Sequence, residues 1–146
     1  MKSSLKSLTS LTLLCATLLS GAALADNSSS MLSTWTGVSN VAVIGDAPKH
    51  HEPGDGSNVK FVKTNFTIVI EAQEGRNFSG HWKSGSHEEN IAGALMTDMK
   101  SGVIVDSDGS ATFKRISANV LDLCYEHLPS ANNKSSVAAC LEYKRQ

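Results

Sequence analysis

From Thr34 onward, apolar and β-branched residues come in short runs that alternate with polar ones, and turn residues separate the runs. No helical period is sustained anywhere in this part of the chain. The pattern predicts eight strands, at 34–44, 60–73, 77–83, 90–97, 102–105, 111–117, 120–127 and 137–145. The second carries an expected break near Lys63. Glu74-Gly75-Arg76, Ser84-Gly85-Ser86-His87 and Asp106-Ser107-Asp108-Gly109 supply turn chemistry between strands, and a long loop fills 45–58.

Side chains in a strand alternate between faces, so a proposed pairing can be tested by whether apolar faces coincide. In the second strand Phe66, Ile68, Ile70 and Ala72 share a face. A turn centred near Gly75 sets Phe78 opposite Ala72, Gly80 opposite Ile70 and Trp82 opposite Ile68, and the apolar faces then agree. The last hairpin passes a stricter test. Pairing Cys124 with Cys140 centres the loop on Asn132, inside the polar stretch Ser130-Ala131-Asn132-Asn133. That register puts Leu121, Leu123 and Tyr125 on one face with Val137, Ala139, Leu141 and Tyr143. Asp122, Glu126, Glu142 and Lys144 fall on the other face with the two cysteines.

Eight consecutive strands with mostly short links fit an all-β, eight-stranded antiparallel up-and-down barrel, in which closure removes both exposed edges. A two-sheet β-sandwich is the alternative. A barrel of this size fills with side chains or holds one small ligand, and the small interior positions Gly37, Ala72, Gly80 and Ala139 leave room for a partial cavity.

The first residues change the setting. Lys2 and Lys6, an apolar run through Leu11–Leu19 broken by Ser and Thr, and Ala23-Leu24-Ala25 read in order as a secretory leader with an A-x-A cleavage site. Residues 1–25 are therefore expected to leave as a signal peptide. Residues 26–33 form a flexible polar lead-in and 34–146 a single barrel domain. The chain is expected to be exported, to a periplasm or the extracellular space, with no stable membrane anchor. Cys15 leaves with the leader, so Cys124 and Cys140 are predicted to bond to each other in an oxidising compartment. Without the two leader lysines, 11 basic residues face 14 acidic ones, a net charge near −3. That balance excludes a nucleic-acid partner, which demands clustered Lys and Arg.

The Trp35 step in Ser33-Thr34-Trp35-Thr36-Gly37, the antiparallel strands after it and Phe78-Ser79-Gly80 together resemble the calycin group of barrels, which includes lipocalins and avidins. The resemblance implies a small secreted β-barrel with ligand-binding capacity. The biotin-contacting set of avidins and the later lipocalin motifs are not found.

The chain carries no GxSxG, no HExxH and no recognisable Ser, His and acid order, which favours binding over catalysis. Candidate ligand-binding residues are Trp35, Trp82 and Tyr125 as aromatic walls, His127 near a barrel end, and His50 and His51 in the long loop. No cofactor is predicted. His50, His51 and Glu52 are the candidate metal ligands, although neighbouring residues on an extended segment point to opposite sides. Asp106-Ser107-Asp108-Gly109 resembles half a calcium loop but lacks the glutamate that would complete it, and reads as a hairpin turn. Three functions remain in play. The first is a binding protein for a small, partly apolar ligand. The second is a protein-binding inhibitor or interaction protein. The third is a cyclase- or isomerase-like barrel enzyme, or a metal-binding protein using the His50-His51 loop.

Overall fold

The computed structural model describes residues 30–45, 59–129 and 135–146. They form eight strands: β1 (Ser33–Ile44), β2 (Val59–Glu74), β3 (Asn77–Ser84), β4 (His87–Leu95), β5 (Ser101–Val105), β6 (Ser110–Ser117), β7 (Val120–His127) and β8 (Ser136–Arg145). Each pairs antiparallel with the next, and β8 pairs back onto β1, so the sheet is a closed up-and-down barrel. The barrel prediction holds and the sandwich is set aside. No helix occurs among the described residues.

The predicted hairpin of β7 and β8 is found in register. Cys124 faces Cys140, Tyr125 faces Ala139 and Leu123 faces Leu141. A disulfide joins Cys124 to Cys140 across the pair, with Cα atoms 4.0 Å apart. It sits on the outer face, while Leu121, Leu123, Val137, Ala139, Leu141 and Tyr143 are buried.

The hairpin of β2 and β3 departs from its predicted register in one respect. Ile68 faces Trp82 and Ile70 faces Gly80, as expected, but a bulge between Ile70 and Ala72 moves Ala72 onto Ser79. One extra residue reverses the side on which every later residue points. Ala72 therefore faces solvent rather than the interior. Gln73 is half-buried instead, and its Oε1 accepts a hydrogen bond from the Met31 amide at 2.7 Å. β2 also runs without the break expected at Lys63.

The interior is filled at one end. Trp35 is 0% exposed and packs with Met31, Ile68, Ile104, Leu121 and Tyr143 in the main core. The residues just before β1 close this end. Trp35 Nε1 donates to the Met31 carbonyl at 3.1 Å, and Arg115 Nη2 donates to the Ser30 carbonyl at 2.8 Å. The Arg145 guanidinium lies 5.5 Å from the centre of the Trp35 ring and donates to the Leu32 carbonyl at 2.6 Å. Residues 30–32, assigned by sequence to a flexible lead-in, are thus a plug, with Met31 in the core. Arg115 is a buried cation on the inner face of β6. Burial, and after it the like charge of Arg145, lowers its pKa below the ordinary 12.5.

The β4–β5 turn lies at the same end. Asp98 Oδ1 accepts from the amides of Lys100 and Ser101, both at 2.9 Å, and Oδ2 accepts from Ser101 Oγ at 2.6 Å. These bonds favour the carboxylate and hold the Asp98 pKa down at about 2.

Candidate functional site

At the other end of the barrel the described residues do not fill the interior. A pocket there is lined by Phe66, Trp82, Leu141, Val137 and Ala139 on its apolar sides, and by Ser84, His87, Glu89, Asp106, Tyr125 and His127. Its atom-free space, counted out through the mouth into solvent, is about 510 Å³. It is a narrow slot whose enclosed part has room for little more than water-sized groups.

The walls follow from strand parity. Trp82 and Ser84 are the last two inward positions of β3, and Tyr125 and His127 the last two of β7. Phe66 on β2 meets the Trp82 ring edge-on at 6.1 Å, and Tyr125 meets it at 5.1 Å. Phe66 and Tyr125 also bridge the main core and a second, smaller cluster of Val41, Val43, Val137 and Ala139. The slot opens where these clusters meet. Ala139 is small and faces Tyr125, so it leaves the space that a larger residue would fill. Of the small positions expected to give a cavity, Ala139 alone lines it. A side chain at Gly37 would collide with Leu141, and one at Gly80 with the Val69 backbone, so those positions serve close packing.

The polar rim is built by the turn 106–109. Asp106 Oδ1 accepts from the amides of Asp108 at 3.1 Å and Gly109 at 2.6 Å, and the Asp106 amide donates to the Gly109 carbonyl at 3.2 Å. A Cβ on Gly109 would collide with Tyr125 Oη, so only glycine lets this turn close over the tyrosine. Tyr125 donates to Asp108 Oδ1 at 3.2 Å. Ser107 Oγ donates to Glu89 Oε1 at 2.8 Å, which ties the turn to the start of β4. Carboxylate oxygens of Glu89, Asp106 and Asp108 all lie within 4.8 Å of one another. Burial, then the charges of Asp106 and Asp108, push the Tyr125 phenol far above its ordinary 10.0. The ring stays neutral and acts as a hydrogen-bond donor.

His127 is 2% exposed. Its Nε2 lies 3.0 Å from Ser135 Oγ and its Nδ1 3.9 Å from Asp108 Oδ1. It therefore belongs to the interior wall and joins β7 to the start of β8.

Of the residues singled out by sequence, Trp82, Tyr125 and His127 come together in this pocket. Trp35 lies at the opposite, plugged end and is not among the lining residues. His50, His51 and Glu52 lie outside the described residues. Asp106, Asp108 and Ser84 were not among the site residues expected from sequence. The turn at 106–109 was recognised there only as a turn. A signal for the convergence did exist in the strand register. Carried three residues past Ala92↔Val105, the β4–β5 pairing sets Glu89 against Asp108.

Comparison with protein-family models, with curated proteins and with solved structures finds no match for the chain.

Proposed function

We propose that the protein is an exported β-barrel that binds a small, partly apolar ligand in this slot. One observation carries this reading. Side chains fill the barrel around Met31 and Trp35, whereas toward the other end Phe66, Trp82 and Tyr125 wall a slot edged with polar groups. Apolar walls with a few convergent polar groups are the usual make-up of small-molecule sites. The external disulfide agrees with an oxidising compartment, and the closed eight-stranded order is compatible with the calycin-like resemblance of the sequence. Native mass spectrometry of the protein purified from its own host tests both halves of the proposal. The expected result is a chain beginning at Asp26, with its two cysteines oxidised and a small molecule retained. A chain that keeps its leader would sink the export half. A ligand-free spectrum, joined to no response of Trp82 fluorescence to extracts of the host, would sink the binding half.

A second reading, as a protein-binding inhibitor or interaction protein, is favoured by the outer face. Ile44, Val59 and Phe61 are exposed on β1 and β2 near the same end, with Phe61 at 80%. Pull-down from the extracytoplasmic fluid with wild type and Phe61→Ser separates the two. A stoichiometric partner lost in Phe61→Ser supports the second reading, and no partner counts against it.

A further inference from the structure

We infer that the plugged end of the barrel carries a second site, which binds the phosphate group of a small molecule at Arg115. The inference does not depend on the slot at the other end.

Arg115 is the buried cation on the inner face of β6, 8% exposed. A guanidinium has N–H donors on each of its nitrogens. Both bonds of the Arg115 side chain run from Nη2, to the Ser30 carbonyl at 2.8 Å and to Met31 Sδ at 3.0 Å. Nε is buried without a partner, and Nη1 donates to no described residue. The two acceptors are neutral, so they leave the charge itself unanswered. Glu74, Asp98 and the Gln146 carboxylate stand at the same end, and none of them makes an ion pair with Arg115. Buried charges are normally paired, and the like charge of Arg145 makes the lack of a counter-ion more costly.

The second observation is a surface groove beside this residue. Arg115 lines it with Lys100, Met99, Ile116 and Ser117, between the β4–β5 turn and the β6–β7 turn. Its atom-free space, counted out into solvent, is about 890 Å³. Asp98 is the one acid among the lining residues. Both of its oxygens are taken up inside its own turn, and its charge offsets that of Lys100 rather than that of Arg115.

The described residues cover this end closely. The turns 75–76, 96–100 and 118–119 are all described, and segments 46–58 and 130–134 join strands at the opposite end. The chain before Ser30 also enters here, and its only acid is Asp26.

A phosphate group suits the free donors. Its terminal oxygens can take the unpaired N–H groups of Arg115 and the Lys100 ammonium as charge-assisted hydrogen bonds, for which a planar guanidinium has the matching geometry. A carboxylate has fewer oxygens and less charge and answers fewer of them. Met99 and Ile116 on the sides of the groove offer apolar contact to the body of the molecule.

The test uses the full oxidised chain with inorganic phosphate, sn-glycerol 3-phosphate, acetate, and sodium chloride at matched ionic strength. Binding is read by phosphorus NMR and by the thermal midpoint, which a ligand of the folded state raises. Both phosphates are expected to bind saturably and at least about tenfold tighter than acetate, and chloride should supply only general screening. Arg115→Gln should weaken phosphate at least about tenfold and Lys100→Gln about threefold. Lys63→Gln, on the outer wall of β2, should change nothing. If Arg115→Gln fails to fold, Lys100→Gln decides, because the Lys100 side chain makes no bond in the fold. A phosphate effect equal to that of chloride, or one untouched by Lys100→Gln, would overturn the site. Acetate as tight as phosphate would overturn the choice of ligand. Phosphate binding seen only in Asp26→Asn would mean that the chain's own carboxylate answers Arg115, and would overturn the inference as well.

Discussion

At the scale of single residues, the two tyrosines give the sharpest test. Tyr125 and Tyr143 are the only tyrosines in the chain. Both phenols are pushed well above the ordinary value of 10.0, Tyr143 by burial and Tyr125 by burial and the nearby carboxylates. A raised phenol favours the neutral form in the folded state. The stabilisation is therefore full below pH 10 and is lost as pH climbs above it. In a spectrophotometric titration, the native protein should show no tyrosinate absorbance at pH 10–11, and both phenols should ionise together when the barrel unfolds. A normal step for one tyrosine in folded protein would contradict the burial described for that ring. Asp98 has the opposite sign. Its carboxyl is held down at about 2 by hydrogen bonds within its turn. Its contribution is full above the unfolded value near 4 and fades as pH falls toward 2. Carboxyl carbon shifts measured by NMR should place its midpoint near 2. An ordinary midpoint would mean that the turn bonds to Lys100 and Ser101 do not persist in solution.

At the scale of elements, each turn and hairpin has its own means of support. The β5–β6 turn depends on Gly109. Gly109→Ala should cost about 1–3 kcal/mol in thermal or urea unfolding, because the new methyl displaces the Tyr125 hydroxyl from Asp108. Tyr125→Phe in the same chain should recover part of that loss, and the coupling can be read from a double-mutant cycle. Simple additivity would show that the two residues do not meet. The β7–β8 hairpin is closed by the disulfide over a sequence separation of 16. Cys124→Ser with Cys140→Ser should lower stability by about 3 kcal/mol in the chain-entropy picture. The barrel should still fold, since the bridge lies outside a core that buries Leu121, Leu123 and Leu141.

The same elements explain what could be read from sequence. The β7–β8 register was legible because the cysteines, the loop and two opposite faces all demanded one answer. The bulge after Ile70 was not, since Glu71 and Ala72 carry no mark of an inserted residue and Gly75 fits either register. The acidic rim is not legible in the sequence for a different reason. Beginning the fourth strand at Asn90 left Glu89 in a turn, away from the register that sets it against Asp108. Arg115 gave no signal either. A cation on an inward position goes against the pattern, and among the described residues its side chain bonds to Ser30 and Met31, just before β1.

At the scale of the whole molecule, the barrel is two vessels in one wall. Met31→Ala, at the plugged end, should cost about 2–5 kcal/mol of stability, as for other buried large-to-small changes. It should leave the affinity of any guest in the slot unchanged. A parallel loss of binding would mean that the two ends communicate through the core. Glu89 and Ser84 lie outside both buried apolar clusters, so they can be exchanged with less harm to folding than Ala139, and one scaffold could be re-lined for many guests. Trp82 and Leu141 are the exceptions. They belong to the packed interior and to the slot at once, and they set the limit on how far such re-lining can go.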